Sequence, residues 1–301
     1  MGQIGRLLTA MITPFDGAGQ VNYPQARRLA QALADSGSDG VVVAGTTGES
    51  PTLSHEEKLR LFAEVKEAVA GRAAVVAGTG NYNTQESIQL SIEAGRLGVD
   101  AVMAVVPFYN KPPQEGLYQH FKAIAERSPV PVILYNVPSR TITNLSAETA
   151  LRLSQVDNIL GVKEASGDFE QIAQIIQGAP KGFRVWSGND GDTFGLMCLG
   201  GYGVISVASH LVGKQIKGMM ELVLQGKTEA AAAEHRRLLP LFKGLFVMSN
   251  PIPVKHCVNL AGMEVGKLRL PLVEPDQNTA ATLRELLRQY KVDLPVAAPA
   301  R

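Results

Sequence analysis

The stretch Gly40-Val41-Val42-Val43-Ala44, followed shortly by Ser54-His55-Glu56-Glu57, contains the unit from which the whole chain is built. Five small or β-branched residues with no polar break read as a strand buried on both faces. Ser54 and Glu57 have the spacing of a capping box, in which each side chain satisfies a free backbone N–H at the start of a helix. Phe62, Val65, Ala68 and Val69 then recur at helical spacing. Upstream, residues 7–13 form another apolar run ending in the turn cluster Pro14-Phe15-Asp16-Gly17. Asn22 then caps a helix carrying Ala26, Leu29, Ala30, Leu33 and Ala34 on one side, stopped near Gly37.

Downstream the pattern predicts strands over 73–77, 101–106, 130–137, 159–162, 183–187 and 204–208. Helices are expected over 84–97, 114–127, 146–154, 168–177, 193–199 and 211–224. Eight strand-then-helix units require parallel strands and right-handed crossovers, and eight is the number that closes a cylinder. The expected fold is α/β, a (β/α)8 TIM barrel. An open doubly wound sheet needs a glycine fingerprint after its first strand, and Thr13-Pro14-Phe15 is not one. Residues 228–290 read as largely helical, with Ala230 to Ala233 as strong formers and Leu283, Leu286 and Leu287 on one side. The chain therefore divides into a catalytic barrel, 1–225, and a C-terminal helical extension, 226–301, whose Pro/Ala-rich end, 295–301, is expected to be disordered.

Composition excludes several function classes. Across 301 residues, 29 Lys and Arg balance 28 Asp and Glu, and no segment gathers like charges, so nucleic acid and anionic membrane are not expected partners. Cys198 and Cys257 have no CxxC spacing, which fits a reducing cytoplasm and argues against a disulfide framework or zinc site. Residues 1–6 lack an apolar export region, and Arg6 stands where a myristoylation signal needs Ser or Thr, so no export, anchor or membrane span is expected. The five histidines show neither HxxxH nor HxH spacing, so no metal is expected. Gly78-Thr79-Gly80 lacks a third glycine, and there is neither GxxxxGK nor GxSxG, so no nucleotide cofactor or serine elbow is expected. The loop 187–192 carries Asp190 and Asp192 without a basic residue, which speaks against a phosphorylated sugar.

In a barrel of this kind the chemistry collects at the C-terminal ends of the strands. Strand six leads into Gly161-Val162-Lys163-Glu164-Ala165, and alternation puts Ile159, Gly161 and Lys163 on one face. Gly161 is expected to leave room for the lysine stem. Apolar surroundings disfavour an ammonium and release free amine, a nucleophile for carbonyl carbon. The competing reading is a lysine that reaches solvent and pairs with Glu164. Strand two ends in Gly45-Thr46-Thr47-Gly48-Glu49-Ser50, which suits a small carboxylate or an ordinary capped turn. Strand five ends in Tyr135-Asn136-Val137-Pro138-Ser139-Arg140-Thr141. Tyr135 shares parity with Ile133 and should point inward beside Lys163, as a proton carrier or a buried structural phenol. Arg140 offers a fork for a second carboxylate, or is solvated surface. Phe108 and Tyr109 after strand four form either a packing plug or a contact to another subunit.

These motifs together, GTTGE at 45–49, YNVPSRT at 135–141 and GVKEA at 161–165, resemble the dihydrodipicolinate synthase family of class I aldolases. The resemblance runs from Leu7 to about Leu272 and includes QEGLYQHF at 114–121, GVISV at 203–207 and NPIPVK at 250–255. It implies a Schiff base between Lys163 and pyruvate, addition of the enamine to L-aspartate 4-semialdehyde, and cyclisation to 4-hydroxy-tetrahydrodipicolinate for the diaminopimelate and lysine pathway. It implies Tyr135 as acid/base, linked to Thr46 and to a Tyr109 inserted from a neighbouring subunit. Thr47, with the Thr46–Thr47 backbone, then holds the pyruvate carboxylate and Arg140 that of the semialdehyde, while Gly188 and the Ile205 carbonyl line the pocket. Tetramers built as dimers of dimers are the family's usual assembly.

Lysine-inhibited relatives bind lysine in an interface cleft that matches Ser50, Pro51, His55, Lys58, Tyr82, Glu86 and Phe108 here. Lys58 puts a cation where the ligand's own charge belongs, and Tyr82 and Phe108 replace the usual Asn and Tyr, so weak or absent feedback inhibition is expected. Two rivals stand beside this reading. An N-acetylneuraminate or 2-keto-3-deoxy-sugar lyase on the same scaffold typically reads GSTGE and lacks the arginine. A non-catalytic keto-acid binder would be expected to have lost Lys163 or the tyrosine relay.

Overall fold

The computed structural model describes residues 4–295. The end beyond Pro295, on which the expectation of disorder falls, lies outside the described residues. The strands are β1 (Leu7–Ala10), β2 (Gly40–Val43), β3 (Ala74–Gly78), β4 (Ala101–Val105), β5 (Val132–Asn136), β6 (Ile159–Glu164), β7 (Arg184–Ser187) and β8 (Gly203–Ser206). The helices between them are α1 (Tyr23–Asp35), α2 (His55–Val69), α3 (Thr84–Arg96), α4 (Gln114–Arg127), α5 (Pro138–Thr141), α6 (Ala147–Leu153), α7 (Phe169–Gly178) and α8 (Thr193–Cys198). After β8 come α9 (Ser209–Leu224), α10 (Thr228–Gly244), α11 (Ile252–Leu260) and α12 (Gln277–Arg288). All eight strands run parallel and in sequence order, and β8 pairs with β1 to close the barrel.

Strand alternation divides the interior into two apolar regions. Leu7, Val41, Val75, Val102, Leu134, Val162 and Val185 face outward onto the apolar stripes of the helices. Leu8, Val42, Val76, Met103, Ile133, Trp186 and Ile205 fill the barrel. The helices start where their caps dictate. Ser54 and Glu57 form the complete capping box, and Asn22, Ser146 and Asp168 accept hydrogen bonds from first-turn N–H groups.

Three local expectations need correction. β6 runs through Glu164, two residues past the apolar run, because pairing with β5 and β7 on both sides continues to its end. Lys163 is thus the penultimate residue of the strand and not one beyond its end. Gly161 serves the neighbouring strand: a Cβ there would sit 2.0 Å from the Arg184 carbonyl oxygen, so its first role is to let β7 approach. The extension is not continuously helical, since 245–251 and 261–276 are irregular. The second of these returns to the barrel loops, where Val265 O accepts from Phe15 N and the Arg269 side chain donates to Gly19 O and Thr52 O. α5, a single turn with Pro138 at its start and Ile142 at φ 63° ending it, was not expected from the sequence.

Candidate active site

Lys163 lies between Tyr135 on β5 and Trp186 on β7, in direct register with both. It is 5 % exposed, and its Nζ stands 4.2 Å from the centroid of the Tyr135 ring. Burial is the main cause that lowers its amine to about 7; the Arg140 cation also lowers it, and the Asp190 carboxylate opposes both. From a reference of 10.5, the free-amine fraction at pH 7 rises from roughly one in three thousand to about one half. The paired reading of Lys163 with Glu164 is incorrect. Alternation turns Glu164 to the opposite face, where it accepts from Asn136, Gln171 and the Ser166 backbone.

Tyr135 is 6 % exposed, and burial pushes its phenol up to about 12, against the weaker pull of Arg140 and a hydrogen bond with Thr46. At neutral pH it is a protonated phenol whose ring face packs against the Lys163 amine and whose hydroxyl is hydrogen-bonded with Thr46. The buried Asp190 is held by Ser206 Oγ and by the Val207 and Ala208 N–H groups at 3.1 and 3.0 Å. Burial raises its carboxyl above the usual range, with those hydrogen bonds and Lys163 pulling the other way.

A cavity of about 400 Å³ opens at this end of the barrel, lined in its inner part by Gly45, Thr46, Met103, Tyr135, Val137 and Arg140. Its outer part is lined by Ser50, Pro51, Lys58, Tyr82 and Phe108. The cleft anticipated at a subunit contact and the mouth of the barrel are therefore one space within a single chain. Tyr82 and Phe108 meet edge to face at 5.1 Å, and burial lowers the Lys58 amine while Glu86 opposes the shift. His55 and Glu86 do not line this cavity. His55 pairs with Glu93, and Glu86 is held by Asn81 and Asn83.

The other sequence-derived positions divide. Ile205 belongs to the barrel-interior cluster with Tyr135, and Gly188 packs where a Cβ would meet Ala165 at 2.6 Å. Thr47 is buried beside the mouth, its Oγ1 accepting from Asn250 Nδ2 at 2.9 Å. Tyr109 is 92 % exposed and is not among the residues lining its own chain's cavity.

Sequence reasoning missed what holds the GTTGE loop. Glu49, in the left-handed region at φ 57°, is 1 % exposed and forms a buried ion pair with Lys255 at 2.7 Å. Lys255 also donates to Thr13 O at 2.8 Å, and Arg269 N donates to the second Glu49 oxygen at 2.9 Å. Asn250 donates to Thr47 while its carbonyl accepts from Arg140 at 3.3 Å. The only signal was the NPIPVK motif itself, read as part of a resemblance and not as a brace.

A closed (β/α)8 barrel that holds a buried amine against a phenol, the phenol lining the cavity and Lys163 lying behind it outside that lining, is the arrangement of the Schiff-base-forming, class I aldolase type of protein. The chain belongs to the Dihydrodipicolinate synthetase family, whose family model matches residues 3–290. It is 59 % identical to the 4-hydroxy-tetrahydrodipicolinate synthase of Dehalococcoides mccartyi, over 98 % of this chain and all of that one. It is 56 % identical to the enzyme of the same name from Moorella thermoacetica, covering 94 % of this chain and 98 % of that one. Among solved structures it resembles a lysine-bound dihydrodipicolinate synthase from Cyanidioschyzon merolae, with a TM-score of 0.94, 45 % identity, and coverage of 96 % and 99 %. No helix among the described residues is long and apolar enough to cross a membrane.

Proposed function

We propose that the chain condenses pyruvate with L-aspartate 4-semialdehyde to 4-hydroxy-tetrahydrodipicolinate, in the cytoplasm and without a cofactor. The observation that carries this is Lys163, desolvated and in contact with Tyr135, in a chain 59 % identical to enzymes of that name. Lys163 Nζ attacks the pyruvate carbonyl carbon, and Tyr135, relayed through Thr46, supplies the proton with which water leaves as the imine forms. Loss of a methyl proton gives the enamine, whose carbon adds to the aldehyde; the resulting alkoxide takes up a proton. The amine of the second substrate then attacks the imine carbon, closing the ring and releasing Lys163. Thr47 and the neighbouring backbone N–H groups hold the pyruvate carboxylate, Arg140 holds that of the semialdehyde, and Gly188 and the Ile205 carbonyl complete the pocket. Arg140 and the GTTGE motif favour this reading over an N-acetylneuraminate or 2-keto-3-deoxy-sugar lyase.

Borohydride added with pyruvate is expected to fix a reduced adduct on the peptide containing Lys163. A coupled assay is expected to turn over aspartate semialdehyde and not sialic acid; the reverse preference refutes the assignment. The trapping rate should rise with pH through about 7 and level off above it, since only the free amine attacks. Arg140→Ala removes a cation that disfavours the ammonium, so its midpoint should move to higher pH. A profile still climbing steeply at pH 9, or an unmoved midpoint in the variant, contradicts these assignments.

In the outer cavity, Lys58 occupies the position that a cationic ligand needs, with Ser50, Pro51, Tyr82 and Phe108 lining the same space, while Glu86 acts on Lys58 by its charge and His55 is paired with Glu93. Free lysine at micromolar concentration is expected to leave the rate unchanged, and half-inhibition in that range refutes this. The active form is a homotetramer, a dimer of dimers in which each Tyr109 completes the partner's proton relay; its exposure in the single chain supports that role. Sedimentation of a stable, fully active monomer contradicts it. Residues 1–225 form the catalytic barrel and 226–301 its helical extension.

A further inference from the structure

We propose that Asn250, in the C-terminal region, is a positioning residue that aims the Thr47 hydroxyl at the substrate carboxylate; this rests on the pyruvate-condensing reading above. Its side chain is buried, and Nδ2 donates to Thr47 Oγ1 at 2.9 Å. A hydroxyl that accepts from an amide keeps its own hydrogen for another acceptor. No acceptor for that hydrogen is present among the described residues. Thr47 is buried and does not itself line the cavity, but it directly follows Thr46, which does, so a hydrogen left free on its hydroxyl lies next to the space in which an anionic ligand would be held.

Asn250 reaches this place because the extension grips the loop at more than one point. Lys255 pairs with Glu49 and Arg269 N donates to the same carboxylate, which fixes the loop's approach to Asn250. The Asn250 carbonyl also accepts from Arg140 Nη2 at 3.3 Å, so one residue sets the spacing between the two groups assigned to carboxylates. Asn250 Oδ1 is buried with no hydrogen-bond partner among the described residues, an arrangement that costs stability and is unusual where only packing is at stake.

The direction of the Asn250–Thr47 hydrogen bond makes the proposal sharp. In Asn250→Asp the carboxylate accepts from Thr47, consumes the hydroxyl hydrogen and adds a negative charge beside the anion site. The pyruvate concentration giving half-maximal borohydride trapping is expected to rise about ten- to a hundredfold. In Asn250→Ala the hydroxyl loses its orientation but not its hydrogen, and a rise of roughly three- to tenfold is expected, with the saturating trapping rate within about twofold of wild type. Thr47→Val should raise the half-saturation, and adding Asn250→Ala to it should raise it no further, because Asn250 acts through that hydroxyl. A purely structural Asn250 would instead give additive effects and fall with thermal stability, which is followed in parallel by calorimetry. Unchanged half-saturation in Asn250→Asp, or full additivity with Thr47→Val, overturns the inference while the condensing reading stands. Failure of the wild type to trap pyruvate at any concentration overturns both.

Discussion

Lys163→Met is expected to abolish condensation, with kcat down by at least about four orders of magnitude and no borohydride-trapped adduct, while the protein becomes more stable. The two effects have one cause. Holding an amine at about 7 when its reference is 10.5 means that folding at neutral pH must strip or desolvate a charge, a cost on the order of 4 kcal/mol. The sign follows from proton counts. Between the folded and unfolded values the unfolded chain binds the extra proton, so this residue lowers stability most at and below about pH 7 and the penalty fades toward pH 10.5. Methionine fills a similar volume with no charge and removes that penalty. A denaturant titration at pH 7 should therefore show a higher midpoint for the variant, and its advantage should shrink at pH 9 and above. Retained turnover, or a variant less stable than wild type at both pH values, contradicts the placement of the amine in an apolar mouth.

The second large effect belongs to stability. Glu49→Gln leaves the Lys255 ammonium 1 % exposed without its ion-pair partner and with only the weaker pull of Glu274, a loss of about 3–5 kcal/mol that should lower Tm by roughly 10 °C. Because Glu49 also accepts from Arg269 N and stands two residues after Thr47, the loop should loosen and pyruvate half-saturation rise as well. Replacing both partners, Glu49→Gln with Lys255→Met, should recover more than half of the lost stability, since no charge is then buried alone. If the single variant unfolds within 1 kcal/mol of wild type, the pair contributes packing and nothing more. The predicted coupling is specific to this pair. The exposed Arg288–Glu285 bridge, by contrast, should give a loss within a few tenths of a kcal/mol when broken.

The barrel was legible because its signals are local. β-branched runs, capping residues and apolar stripes depend on near neighbours in the chain, so the order of strands and helices followed from residues such as Ser54, Glu57 and Asn22. Strand parity pointed Tyr135 inward beside Lys163, and the register of β5 with β6 sets the two directly opposite each other. The ends of elements were less legible, as at Glu164, where hydrogen bonding to both flanking strands carries β6 beyond its apolar residues.

What only the tertiary structure decided are contacts between residues far apart in the chain. Nothing near Glu49 announces Lys255 or Arg269, and nothing near Thr47 announces Asn250, because each partner is brought in by the fold over about two hundred residues. Gly161 shows the same division: its presence beside Lys163 is visible in the sequence, but the reason for it is the carbonyl of Arg184 on another strand. The sequence by itself determined a closed barrel with an amine and a phenol at its mouth, because periodicity is a short-range property. The environment that makes the amine reactive, and the brace that orients the hydroxyl next to it, depend on burial and on long-range packing, which exist only once the barrel has closed.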